Sequence, residues 1–242
     1  MDDHYNWIFN DGHLIVLGDI LDRGPQVTEA LWLIFRLEQQ ALKSGGKVHV
    51  MLGNHELMVL NNDVRYINDK YIKSAQLMGK NYSDLYSEDS FMGKWLRQKP
   101  IMVTVNDILF VHAGVSTDYI NKGITRTKTN EIFAKEIIGQ SWDKILNDSL
   151  LTFFMSKKGP VWFRGYFDKP LLKEYQIDHL LRYFDVNHII VGHTSFPNIV
   201  SLYNGKIYGI DSSIKLGNYG ELLIYEDNKF YRGTSSGSKM HF

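Results

Sequence analysis

The chain has 242 residues, 44% of them hydrophobic and 13% aromatic, enough apolar material for one large folded domain and too much for a disordered segment. Lys plus Arg and Asp plus Glu are balanced at 27 each, so no global field recruits nucleic acid or an anionic membrane, and a charged ligand has to be held by a local site. Cysteine is absent, which excludes a disulfide framework and a thiolate zinc site and leaves the compartment open, with the cytoplasm favoured.

Trp7, Ile8 and Phe9 followed by Asn10-Asp11-Gly12 suggest a hairpin turn into a strand. The apolar run Leu14-Ile-Val-Leu17 reads as a strand buried on both faces, and it ends in Gly18-Asp-Ile-Leu-Asp-Arg-Gly24. Two carboxylates and a guanidinium in five residues at a strand end suit a meeting place for metal and phosphate. Pro25 then opens a helix, with Val27, Ala30, Leu31, Ile34, Leu37 and Leu42 on its apolar face and Gly45-Gly46 at its end. Lys47 to Leu52 forms a second strand delivering Gly53-Asn-His-Glu56, and the two polar clusters are expected on neighbouring parallel strands.

Residues 57–99 read as a helical insertion, clearest from Ser87 to Leu96, with Tyr66, Tyr71, Tyr82, Tyr86 and Trp95 as local core and not a base-stacking platform. Ile101–Val105 and Ile108–Val111 form a hairpin around Asn106-Asp107 that ends in His112-Ala-Gly114. Residues 116–158 are mostly helical, best at Asn130–Ile138, and lead to Trp162-Phe-Arg-Gly165. Leu171–Phe184 is an amphipathic helix, and His188–Val191 is a strand delivering Gly192-His-Thr194. Val200–Tyr203, Lys206–Ile210, Leu222–Tyr225 and Phe230–Arg232 read as an antiparallel edge of a second sheet. The chain is expected to be a single domain over 1–234 with insertions near 57–99 and 116–158, followed by a flexible tail at 235–242. No apolar run approaches the roughly 20 residues of a spanning helix, so no membrane association is expected.

Four strand ends thus offer Asp19, Asn54, His112 and His193, a mixed oxygen and nitrogen set that suits Mn, Fe or Zn better than calcium. Taken singly, His112 or His193 is better explained as a core histidine. The four clusters in this order carry the argument.

GDILDRG, GNHE, HAG and VGHT in that order resemble the motifs of the calcineurin-like metallophosphoesterases, in the phosphoprotein-phosphatase branch and its bacterial, Shewanella-like and phage-phosphatase-like members. The resemblance implies an α/β fold, a four-layer α/β/β/α sandwich with two mixed sheets, and two divalent metals about 3.5 Å apart bridged by a carboxylate and a water. By motif position Asp19 is similar to the bridging ligand, and Asn54, His112 and His193 to further metal ligands. Arg23, and Arg164 in WFRG, resemble the arginines that bind phosphoryl oxygens, with Asn54 also facing substrate. His55 resembles the general acid, oriented by Asp22, and Glu56 is expected to hold backbone or ligand behind the site.

One family motif, an Asp-x-His on a strand a helix upstream of GDILDRG, has no counterpart with the right spacing. Asp2-Asp3-His4 spells it, but only eight residues separate His4 from the strand start at His13, and a parallel crossover needs about a dozen. The expectation is that this strand and helix are missing; two divalent ions are expected from the resemblance, with a single ion held by this chain as the alternative. The resemblance implies metal-dependent hydrolysis of phosphomonoesters on a phosphorylated protein or small molecule. The alternatives are cleavage of dinucleoside polyphosphates, or phosphate binding with impaired catalysis. No nucleic-acid partner is expected, and the oligomeric state is open.

Overall fold

The computed structural model describes residues 1–242. The chain divides into two compact units, Met1–Pro100 and Ile101–Phe242, where the sequence suggests one domain. Both are α/β, and no helix is long and apolar enough to cross a membrane.

In the first unit, strand β1 (His13–Val16) runs through helix α1 (Val27–Lys43) to strand β2 (Lys47–Val50), which pairs with β1 in parallel register, Leu14 opposite Val48 and Val16 opposite Val50. Helix α1 buries Val27, Leu31, Leu37 and Ala41, a single stripe at helical spacing. Its end is set by Gly45 at φ 81°, which lets the Gly46 N–H reach the Ala41 carbonyl at 2.9 Å and satisfy a terminal acceptor. Helix α2 (Asn54–Leu60) follows β2 directly and is buried along its whole length. The rest of the insertion is α3 (Asp69–Leu77), a 3-10 turn at Tyr82–Tyr86 and α4 (Phe91–Arg97). Helix α4 starts later than the apolar spacing suggests because the Ser90 hydroxyl accepts the Gly93 N–H at 2.9 Å, capping the helix there. Lys70 Nζ and the Tyr71 hydroxyl both donate to the Pro25 carbonyl, at 2.7 and 2.8 Å, and so tie α3 to the loop after β1. The expected hairpin before β1 does not form. Tyr5 and Asn10 take positive φ, which breaks the extended line, and residues 9–12 form a turn closed by the Gly12 N–H on the Phe9 carbonyl.

In the second unit, β3 (Met102–Val105) and β4 (Ile108–Val111) form the anticipated hairpin. Helices α5 (Thr117–Ile120), α6 (Arg126–Ile132), α7 (Trp142–Leu146) and α8 (Ser149–Phe154) fill the next stretch, with α6 passing into one π-helical segment at Phe133–Ile137. Helix α9 (Glu174–Phe184) begins three residues after its apolar stripe, where Gln176 Oε1 accepts the Lys173 N–H at 2.9 Å. Strand β5 (His188–Val191) lies parallel to β4. Strands β6 (Val200–Leu202) and β7 (Ile207–Gly209) complete a five-stranded mixed sheet of order β3-β4-β5-β7-β6. Strand β7 pairs parallel with β5, so it continues the His188 sheet and is not the antiparallel edge of another one. Its three residues carry no alternation from which the partner could be read. The separate antiparallel sheet is β8 (Glu221–Glu226), β9 (Lys229–Thr234) and β10 (Lys239–His241). The segment expected as a flexible tail therefore supplies a turn and a strand, with Gly237 at φ 82° returning the chain so that Lys239 pairs with Gly233.

Candidate active site

Every predicted metal ligand leaves the carboxyl end of a strand. Asp19 follows β1 and Asn54 follows β2 in the first unit; His112 follows β4 and His193 follows β5 in the second. Each strand pair is parallel, so both members of a pair deliver their side chains at the same end of a sheet.

In the first unit the loop after β1 is built on strained backbone. Gly18, Asp19, Asp22 and Arg23 have φ of 90°, 57°, 73° and 59°, a left-handed cluster that costs about 1 to 3 kcal/mol for each residue other than glycine and persists only where the surroundings enforce it. Glu56 provides the enforcement. One of its carboxylate oxygens accepts the N–H groups of Asp19 and Gly53, each at 2.8 Å, and the other accepts those of Ile20 at 2.7 Å and Leu21 at 2.9 Å. Burial, followed by the charge of Asp19, raises the Glu56 pKa, and the N–H groups of Leu21, Asp19 and Gly53 oppose the rise. One side chain thus clamps the turn that carries Asp19 to the start of the helix that carries Asn54 and His55.

His55 is buried, and its Nδ1 meets Asp22 Oδ2 at 2.5 Å. Asp22 is buried as well, and its Oδ1 has no hydrogen-bond partner, so this carboxylate serves His55. Its other neighbour is Tyr66, whose ring stands edge-on to His55 with centroids 5.4 Å apart and lies 5.3 Å from the Arg23 guanidinium. The Tyr66 carbonyl accepts the Arg23 N–H at 2.8 Å. Sequence reasoning took Tyr66 for local core. Its position at the head of the aromatic stretch gave no sign that it holds Arg23 and His55.

The second unit presents a pair of imidazoles. His112 Nε2 and His193 Nδ1 are 3.2 Å apart, the rings nearly perpendicular at 68°, and His193 is held at φ 62°. The Gly192 N–H donates to the His112 carbonyl at 2.7 Å, joining the two loops. Arg164 is exposed and donates from Nη1 to the His193 carbonyl at 3.2 Å and to the Thr194 hydroxyl at 3.1 Å. The Arg164 loop is pinned beneath His112-Ala-Gly114. The Pro160 carbonyl accepts the Ala113 N–H at 3.0 Å, and the buried Tyr166 hydroxyl bonds both the N–H and the carbonyl of Val115, at 2.9 and 3.0 Å. Trp162 stands edge-on to His193 at 5.6 Å.

Asp2-Asp3-His4 is engaged elsewhere. The Asp2 carboxylate accepts the N–H groups of His4 and Asn6, at 3.0 and 2.7 Å, and the Asn6 side-chain amide at 2.9 Å, closing a local turn, while His4 is exposed.

Asp19 and Asn54 at the strand ends of the first unit, and His112 and His193 at those of the second, are residue types able to ligate a divalent cation. The family model for calcineurin-like phosphoesterases matches residues 3–196, and the chain belongs to that family. A solved structure of the cold-active protein-tyrosine phosphatase of a psychrophilic Shewanella species is 41% identical with a TM-score of 0.96, over 100% of this chain and 72% of its own. Shewanella-like protein phosphatase 1 of Plasmodium berghei (strain Anka) is 29% identical over 232 residues, covering 89% of this chain and 61% of its own length. Shewanella-like protein phosphatase 2 of Arabidopsis thaliana is 24% identical over 168 residues, 52% of this chain and 43% of its length. The chain therefore spans less than two thirds of these two relatives.

Proposed function

We propose that this chain hydrolyses phosphomonoesters on phosphorylated proteins, phosphotyrosyl groups among them, using a divalent metal held by Asp19, Asn54, His112 and His193. The observation that carries the reading is the imidazole pair. Two nitrogens 3.2 Å apart have the separation of two ligands bound at about 2.1 Å to one ion at an angle of about 100°. Asp19, His112 and His193 are the acidic and imidazole candidates for metal ligation, and Asn54 adds an amide oxygen. This donor set fits Mn, Fe or Zn, and manganese is the ion we expect to serve. The chain's own side chains supply the shell of one ion, since Asp2 and His4 are occupied in a local turn or exposed.

When bound, a divalent ion would lower the pKa of attacking water and offset the charge of the phosphoryl oxygens. The protein side chains do the rest. Arg23, braced against Tyr66, and Arg164, anchored at one nitrogen, present planar donors to the phosphoryl oxygens. Asp22 accepts the Nδ1 proton of His55 and holds the ring, so that in its imidazolium form the Nε2–H is the proton given to the departing alkoxide or phenoxide oxygen. The choice of phosphotyrosyl substrates is supported by the Shewanella enzyme's similarity.

The test is turnover by chelator-stripped protein after addition of Mn, Fe or Zn, with p-nitrophenyl phosphate, a phosphotyrosyl peptide and a diadenosine polyphosphate. Metal-dependent hydrolysis of the first two is expected. Cleavage of the dinucleotide alone would move the substrate class. Metal binding without any turnover would support a phosphate-binding protein and overturn the proposal.

A further inference from the structure

A second pair of histidines lies within the two strands of the first unit. His13 opens β1, whereas Asp19 lies three residues beyond the last residue of that strand. The parallel register sets His13 opposite Lys47 and Ile15 opposite His49, so His13 and His49 are diagonal neighbours on one face of the two strands. Val48 and Val50, on the other face, are buried, while His13 is exposed and His49 half-buried. Their rings have centroids 5.0 Å apart, and His49 Nε2 lies 3.2 Å from His13 Nδ1. That is the nitrogen separation found at His112 and His193.

We infer that His13 and His49 form a second metal site, a surface one, for a borderline divalent cation such as Zn²⁺, with water completing the coordination. Two imidazoles on adjacent strands stand at the nitrogen separation of two ligands of one ion, and nitrogen donors favour the late first-row metals over Ca²⁺ or Mg²⁺. Metal binding requires neutral imidazole. Lys47 is the one cation on this face and opposes a second. It is exposed on a long side chain, and screening in water keeps the opposition small.

Calorimetric titration of the metal-stripped 242-residue chain with zinc chloride tests this, comparing it unmodified with His13→Asn and His49→Ala. The unmodified chain is expected to bind one more Zn²⁺ than either variant, and the imidazole nitrogen resonances of His13 and His49 to shift as that ion binds. His13 is exposed, so His13→Asn keeps the fold and decides the matter should His49→Ala fold poorly. Identical stoichiometry and affinity in His13→Asn, with unshifted resonances, would overturn the site and leave a bridging N–H between two rings. Neither histidine belongs to the proposed active centre, so failure here leaves the phosphatase reading intact.

Discussion

His55→Asn is expected to slow hydrolysis of phenyl and alkyl phosphates by about 10²- to 10⁴-fold, the usual worth of a positioned general acid, and to slow p-nitrophenyl phosphate far less. The reason lies in the leaving group. An alkoxide or phenoxide departs poorly without a proton, whereas p-nitrophenolate is stable enough to leave unassisted. His55 sits at the second position of α2 with its Nδ1 on Asp22 at 2.5 Å, an arrangement that points Nε2 away from the carboxylate. Asp22→Asn is expected to show the same dependence on leaving group with a smaller loss, because it disturbs the tautomer and leaves the ring in place. Measuring kcat across a series of aryl phosphates checks this. Equal losses for good and poor leaving groups would remove His55 from the acid role.

The second large effect is on stability. Gly18→Ala would place a Cβ 2.2 Å from the Gly53 nitrogen and 2.7 Å from its Cα, at a residue whose φ is 90°. The left-handed conformation alone costs an L-residue about 1 to 2 kcal/mol. The collision is with backbone that cannot rotate aside, because Glu56 bonds the Gly53 and Asp19 N–H groups on either side of it. A total loss of at least about 3 kcal/mol is expected, a large share of the 5 to 15 kcal/mol that holds a typical protein folded. For a chain of this size it corresponds to a fall in Tm of about 6 to 12 °C. Gly24→Ala is the control: nothing lies within 4 Å of the added Cβ, and its effect should stay within about 0.5 kcal/mol. Denaturant unfolding of both variants gives the comparison, and equal stability would mean that the two motif loops are not pressed together.

Much of the framework could be read from the residues. The apolar run at Leu14–Leu17, the helical stripe from Val27 onward and the turn at Asn106-Asp107 each carry a local physical signal, and the elements stand where these signals put them. The same is true of where the polar clusters lie, since a cluster that follows a short strand can only emerge at its carboxyl end, although β1 is half-buried and not covered on both faces as its apolar run suggests. Non-local features were not legible. The parallel pairing of β7 with β5 joins segments separated by the β6 hairpin arm, and three-residue strands have no period to betray their partner. The strand at Lys239–His241 rests on a turn built by Gly237 and not on any apolar pattern. The left-handed backbone at Asp19, Asp22 and Arg23 runs against residue preference and is intelligible only once the four N–H groups converging on Glu56 are seen. Tyr66 escaped for a related reason: its partners Arg23 and His55 are brought to it by α2 and the loop after β1, not by sequence proximity.

Anomalous diffraction at the manganese edge, from crystals of chelator-stripped protein regrown with Mn²⁺, tests the account most directly. We expect a strong peak coordinated by Asp19, Asn54, His112 and His193 at ordinary ligand distances of about 2.0 to 2.2 Å. A map without density among these four side chains, or one with the ion held by other residues, would contradict it.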